Sequence, residues 1–427
     1  MSNKRVVITG MGVVAPNAVG VEDFSRAISE GKSGIKFYQK LEDLNFRCQI
    51  GGTPPVTDDI LKANFTELEL KRFTATGVMY GIIAGMEAWN DSGLPIVEDP
   101  ESEPMWDFGT IFGTGMCGVD TFREAFYKVD ENRVRKLGTT VVEQTMPSGI
   151  SAFLGGRIGL GNQVTSNASA CSTGTESLVM AYDRIRSEQA KAILAGGCDA
   201  DGPYVWGGFD TMRVLAYKYN DEPEKASRPL SATAAGFVPG SGGGALVLED
   251  LDHALSRGAH IYGEIIGGYL NSGGQRGTGT MTAPNAMGTQ RCIKGAIADA
   301  GIQSEDIDLI CGHLTSTMGD VLEIKNLSTA LSLKGSDFPR VNALKSMTGH
   351  CLSAAGAIET VAALLQLQNG FIHPSINCDE VHPEILQNID DNCIVKELLH
   401  EEIDIVLKPS FGFGDVNSCL ILKKYNS

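Results

Sequence analysis

Short β-branched runs alternate along the chain with longer stretches in which apolar residues recur every three or four positions. This pattern predicts strands at 5–9, 108–112, 163–166 and 190–195, with helices at 67–92, 142–158 and 172–187 between them. Past the glycine-rich GFVPGSGGGALVLED, whose residues 245–248 read as a strand, the alternation begins again at IYGEIIGGYL. Helix 286–301, strand 307–311, helix 319–332, strand 340–343 and helix 353–369 follow. Strands alternating with helices imply a mostly parallel sheet covered on both faces. Two such runs, with no Pro-rich or low-complexity linker dividing them, predict an α/β protein of two pseudo-duplicated halves, residues 1–252 and 253–427.

Composition narrows the function classes. The 427 residues are 42% hydrophobic and 20% charged, ordinary for a globular protein, and are too many for one comfortable core. A formal charge of −17 argues against general nucleic-acid binding, which needs a basic footprint, although a local basic patch remains open. The start, MSNKRVVITGMG, runs from a short polar stretch straight into a strand pattern without an apolar signal region. No apolar stretch is long enough for a membrane span, so the expectation is a cytoplasmic protein with no membrane partner. Ten scattered cysteines form no CxxC pair and no His/Cys metal spacing, so no metal is expected.

Two glycine patterns after strands, at 6–15 and 113–118, suggest nucleotide binding. The first lacks the acidic residue some 20 positions on that a ribose hydroxyl needs, and tight strand-to-helix turns account for both. Cys171 stands out more. In SNASACSTGTES it follows a strand-like run and precedes a helical pattern, so its sulfur meets a helix N-terminus, where the dipole favours thiolate. Small neighbours permit a sharp turn and close approach of a substrate; a buried structural cysteine is the plainer reading of this stretch alone. His313 and His350 both lie where a strand gives way to polar chain, a usual place for catalytic groups in α/β sheets and also for satisfied loop histidines. At 408–422, glycines surround Phe413 between two strand-like runs. Such a loop either presents backbone N–H groups to an oxyanion and swings an aromatic ring, or is a hairpin turn.

Taken together and in order, RVVITGMGVVAPN, GHLTSTMGD, KSMTGHCLSAAGAIE and FGFGDVNSCLIL resemble the β-ketoacyl-acyl-carrier-protein synthases of the thiolase-like superfamily, over nearly the whole chain. The resemblance implies a layered αβαβα fold and a decarboxylative Claisen condensation that lengthens an acyl chain by two carbons. Cys171 would take the acyl group as a thioester. His313 and His350 would stabilise the enolate left by decarboxylation of a malonyl group, and the backbone N–H groups of Cys171 and Phe413 would form an oxyanion hole. By the same implication Lys345 and Glu359 organise the histidine pair, and Phe413 gates the site. Thr315, Thr317 and Thr282 would bind pantetheine, while Met116 and Phe209 would line the acyl pocket. No cofactor is implied, since substrates travel on the phosphopantetheine of acyl carrier protein. That partner is acidic, so docking needs concentrated positive charge; Lys71, Arg72, Arg135, Lys136 and Arg213 fall near such a patch, or are ordinary surface charges. A homodimer is implied, with a heterodimer containing a related synthase-like subunit as the alternative.

The chain departs from the family pattern in three places. HLTST replaces HGTST, so Leu314 is expected to narrow the pantetheine tunnel or change the backbone angle. GFGDVN replaces GFGGTN, so Asp415 and Val416 are expected to stiffen the gate or bring a carboxylate towards the site. Ser231 to Ala235 and Ser241 stand where charged residues are usual. Two rival functions are weighed against the synthase. A coenzyme A thiolase needs a second cysteine in the C-terminal glycine loop, and Cys419 lies in the strand beyond it; a non-catalytic, chain-length-determining partner subunit would lack Cys171.

Overall fold

The computed structural model describes residues 4–426. Its main strands are β1 (Val6–Ala15), β2 (Phe108–Thr114), β3 (Val164–Thr165), β4 (Ala192–Asp199), β5 (Gly242–Asp250), β6 (Gly263–Ser272), β7 (Leu309–Cys311), β8 (Arg340–Asn342), β9 (Ile405–Gly412) and β10 (Val416–Lys423). In space they run β8-β7-β9-β10-β6-β1-β5-β4-β2-β3. The first five strands and the last five repeat one scheme. In each, the second strand pairs parallel with the third and the fourth, the fourth pairs antiparallel with the fifth, and the fifth pairs antiparallel with the first. The two sets join where Val6–Ile8 of β1 meets Gly263–Ile265 of β6. The topology is therefore the duplicated α/β arrangement that the hydrophobic pattern predicts, but the sheet is mixed and not mostly parallel: four pairings of these strands are parallel and five antiparallel.

The principal helices are α1 (Thr76–Ser92), α2 (Gly149–Ile158), α3 (Thr173–Arg186), α4 (Ala286–Ala300), α5 (Gly319–Leu331) and α6 (Ala355–Asn369). Residues Ala355 to Leu367 of α6 are all buried, the signature of a helix enclosed by apolar neighbours on every side. It packs on α3, and each of these two helices touches strands of both sets, so together they form the central layer. Helices α1 and α2 cover the outside of the first set; α4 and α5 cover the second. All ten residues of β1 are buried, as expected of a strand covered on both faces.

The close approach of α3 and α6 depends on small residues. A Cβ on Gly174 would lie 2.6 Å from the backbone nitrogen of Ala357, and one on Gly356 would lie 2.2 Å from Oγ1 of Thr175. Each central helix also follows a turn with a left-handed residue, Ala170 at φ 50° and Leu352 at φ 49°. The predicted helix 67–92 is broken at Phe73–Ala75, where Phe73 leaves the helix to pack against Phe65 and Phe153. The predicted helix 142–158 stops at Met146, which is extended ahead of Pro147. Among the described residues, no helix is long and apolar enough to cross a membrane.

Candidate active site

Cys171 lies in the tight turn Ala170–Ser172 that leads into α3. Local bonds hold this elbow: Thr173 Oγ1 donates to the Ala170 carbonyl at 2.7 Å and accepts from the Ser169 N–H at 2.8 Å. The chain carrying Phe413 seats against the same turn, because Ser172 Oγ donates to the carbonyls of Ser410 and Val416 at 3.1 and 3.2 Å. Gly412 is needed there, since a Cβ on it would sit 2.7 Å from the Ser169 carbonyl oxygen. The N–H groups of Phe413 and of Cys171 itself both face the sulfur, an arrangement suited to an oxyanion.

A cavity of about 290 Å³ opens onto the sulfur. Its wall brings together Cys171, His313, His350, Phe209, Phe413, Thr282, Thr315 and Thr317, eight of the residues singled out from sequence. Met116 lies outside this cavity, 41% exposed, with its N–H bound to Asp199. The two imidazoles meet edge to face at 5.3 Å between ring centres. Their tautomers follow from their partners. Leu352 donates its N–H to Nδ1 of His350 at 3.2 Å, and Lys345 Nζ stands 3.4 Å from Nδ1 of His313. In both rings Nδ1 is thus the acceptor, which leaves the proton on Nε2.

Burial holds His313 and His350 well below the ordinary histidine range, and the ammonium groups of Lys345 and Lys408 push both the same way. The rings are neutral donors at physiological pH. Lys345 is itself buried and ion-paired to Oε1 of Glu359. Cys171 goes against the expected direction. Burial pushes its thiol up to about 11, and the opposing pull of Lys345 and the Phe413 N–H does not overcome it. The elbow therefore holds a thiol, because removing the sulfur from water outweighs the favourable dipole and charges.

Leu314 does not act as expected, whereas Asp415 fits the expectation of a stiffened gate. Leu314 is fully buried in the core of the second half and lines no part of the cavity. Its Cδ1 occupies the space beside Gly312, where a Cβ would come within 2.5 Å of it, and its backbone has no positive φ. Asp415 is also buried. Its carboxylate accepts the N–H groups of Asn285 and Gln275 at 2.8 and 2.9 Å, which ties the Phe413 loop to the loop bearing Thr282. In the third departure, Ser231 and Thr233 share a 2.9 Å hydroxyl bond, and Ser241 donates to the Gly52 carbonyl. Lys71, Arg72, Arg135, Lys136 and Arg213 are exposed; Arg213 precedes the cavity residue Val214, whereas the other four are on segments that do not line the cavity.

Sequence reasoning overlooked several buried groups. Glu323 lines the cavity and accepts the N–H groups of His313 and Leu314 at 2.7 and 2.8 Å. Asp320 accepts those of Thr315 and Ser316. Burial pushes Asp320 up to about 6 and Glu323 to about 7, the latter helped by the charge on Asp320. Lys408 lies 2.8 Å from the second oxygen of Glu359. The signals were present: two acidic residues at the start of a helix in GDVLE, and a lone lysine inside the apolar strand IVLKPSF.

Comparison with known proteins agrees with this geometry. Residues 3–254 match the family "Beta-ketoacyl synthase, N-terminal domain" and residues 262–379 match "Beta-ketoacyl synthase, C-terminal domain". The protein belongs to the β-ketoacyl synthase family. It is similar to 3-oxoacyl-[acyl-carrier-protein] synthase 1 of Escherichia coli K12, 35% identical over 429 residues and covering 99% of both chains. It is likewise similar to synthase 2 of Vibrio harveyi, 33% identical over 428 residues, again covering 99% of both. A solved ketosynthase of a type II polyketide synthase, in complex with its acyl carrier protein, superposes with a TM-score of 0.85 at 27% identity, covering 99% of this chain and 100% of that one.

Proposed function

We propose that the protein is a 3-oxoacyl-acyl-carrier-protein synthase working in the cytoplasm as a homodimer. The observation that supports this most directly is the convergence of two neutral Nε2–H imidazoles on the cavity that Cys171 opens into. In the first step the Cys171 sulfur forms a bond to the acyl carbonyl carbon while the carrier's pantetheine sulfur departs with the thiol proton. The N–H groups of Cys171 and Phe413 hold the oxyanion. In the second step a malonyl thioester loses its carboxylate as carbon dioxide, and His313 and His350 donate to the resulting enolate oxygen. The enolate carbon then attacks the acyl carbonyl, and the bond to the Cys171 sulfur breaks.

Neutral donors suit this chemistry, because an imidazolium would protonate and quench the carbanion. Lys345 and Glu359 fix the orientation of His313 without touching substrate. Thr315 and Thr317, whose hydroxyls lie 3.0 Å apart, and Thr282 at the mouth serve the pantetheine arm; Phe209, in the cavity wall, serves the acyl chain. The first half, 1–252, supplies the nucleophile and the second, 253–427, the histidines. No cofactor is needed for any step. The intact nucleophile disfavours a role as a non-catalytic partner subunit. Cys419, fully buried in β10, cannot act as a thiolase's second cysteine.

Incubation with acyl and malonyl carrier protein is expected to give the 3-oxoacyl product, with Cys171 acylated by mass spectrometry. Cys171→Ala is expected to abolish both. Cys171→Gln, which imitates the acylated site, is expected to release carbon dioxide from malonyl carrier protein without condensation. Failure of that release would remove His313 and His350 from the assigned role.

A further inference from the structure

Among the described residues, two lysines are buried, Lys345 and Lys408, and both are within ion-pair reach of Glu359. Lys345 donates a hydrogen bond to Oε1, whereas Lys408 Nζ stands 2.8 Å from Oε2 in an ion-pair contact and Oε2 accepts no hydrogen bond. Two cations therefore share one anion, and the cluster carries one net positive charge. A buried ammonium that its counter-ion only half compensates is costly, and an apolar side chain would suit strand β9 better. The strand's neighbours Val406 and Leu407 are fully buried core residues. The ammonium also donates to the Pro409 carbonyl and, at 2.9 Å, to Ser410 Oγ, which is bonded in turn to Thr175 of α3 at 2.8 Å.

We propose that Lys408 is a positioning residue of the condensing site: anchored to Pro409 and Ser410 in ion-pair contact with the second oxygen of Glu359, it leaves the Lys345–Glu359–Lys408 cluster with a net positive charge behind His313 and His350. This rests on the synthase reading above. Without Lys408 the cluster is neutral overall, and Lys345, 3.4 Å from Nδ1 of His313, is the one cation left to act on the rings. With it, one charge does two things in a medium of low dielectric: it opposes imidazolium and favours negative charge on the enolate. Most of the remaining groups facing the cluster are uncharged. Cys311 of β7 and Cys419 of β10 are thiols pushed up to about 12 by burial, and His373, next to Asn342 and Gln366, is held neutral at about 4. Asp199 is bound to the N–H groups of Met116 and Ser353; Glu323, bound to those of His313 and Leu314, is close enough to feel the Lys345 charge, and burial pushes it up to about 7.

The test uses the full chain in the Cys171→Gln background, where decarboxylation of malonyl carrier protein is read alone. Lys408→Gln removes the charge yet can still donate to Pro409 and Ser410, while Lys408→Arg keeps the charge. For Lys408→Gln the expected result is a KM within about twofold of the parent and a kcat about tenfold lower at pH 7. The acid limb of the pH profile should rise by roughly one unit, as should the NMR titration midpoints of His313 and His350. Lys408→Arg should restore the limb. A limb and midpoints that do not move would overturn the proposal, even if melting temperature and activity fell together, since that is the mark of a structural role alone. If Lys408→Gln does not fold, Lys408→Met carries the same expectation, and wild-type midpoints near the ordinary value of about 6.5 would also overturn it. A parent that releases no carbon dioxide would instead defeat the synthase reading, while the histidine titrations would still report on Lys408.

Discussion

Leu314 shows how far one residue's neighbours decide its meaning. In the family pattern its place belongs to a glycine, which suggests a side chain projecting into the substrate tunnel. The side chain instead turns inward, fills the gap beside Gly312 and joins the core formed by α4, α5 and their strands. Leu314→Ala is therefore expected to cost about 2–5 kcal/mol of stability, the usual range for a buried leucine. Chemical denaturation would show this cost. The acyl-chain preference should stay as it was; a changed preference with unchanged stability would put the side chain in the tunnel after all. Cys171 teaches the same lesson with charge, because the dipole argument pointed one way and desolvation went the other.

At the scale of elements, Asp415 acts as a clasp. It adopts a φ of 62° and receives two N–H bonds from the 275–285 segment, while Gly414 donates its N–H to the Met281 carbonyl. A Cβ on Gly273 would sit 2.3 Å from Oδ2 of Asp415, so the two loops are built for this contact. Asp415→Ala would leave two N–H groups without their acceptor, at a cost of about 1–3 kcal/mol. Faster tryptic cleavage after the exposed Arg276 is the expected sign, with a several-fold rise in KM for carrier-bound substrates as Thr282 loses its place. Equal cleavage rates would show that the clasp does not order the loop. The element boundaries that the hydrophobic pattern missed have equally local causes. Pro147 ends one helix by a rule readable in the sequence, whereas Phe73 breaks another only because Phe65 and Phe153 await its ring.

At the scale of the whole molecule, the proposed function requires a protein of net charge −17 to meet an acidic carrier. Four of the five basic residues proposed for docking, Arg72, Arg135, Lys136 and Arg213, make no ion pair among the described residues; Lys71 reaches Glu67 at 3.9 Å. They lie on neighbouring elements. The Arg72 carbonyl accepts from Gln144, and the helix Val119–Asp130 touches the 134–136 turn, the 141–145 helix and the Pro203–Thr211 helix that precedes Arg213. Arg213→Glu is expected to raise KM several-fold for acyl carrier protein at low salt, with the difference shrinking as salt screens it. The same variant should treat an acyl-pantetheine substrate as wild type does. Equal loss on both substrates would place Arg213 in the cavity wall and not in docking.

The sequence by itself determined the alternation of strands and helices, its repetition in a second half, and the identity of Cys171, His313, His350 and Phe413 as the groups to watch. These are local properties: periodicity, turn chemistry and residue type are written in contiguous stretches. The small residues of SNASACSTGTES were legible as an elbow, but the second use of Gly174, to let α3 and α6 touch, was not. Only the tertiary structure decided that Glu323 would hold the His313 turn, that Lys408 would share Glu359, that Leu314 would join the core and that Asp415 would clasp a second loop. Desolvation and charge pairing act between segments brought together by packing, such as Ser172 and Ser410, which lie 238 residues apart. No window of sequence contains both partners, so the environment that sets a thiol's proton or a lysine's counter-ion exists only once the chain has folded.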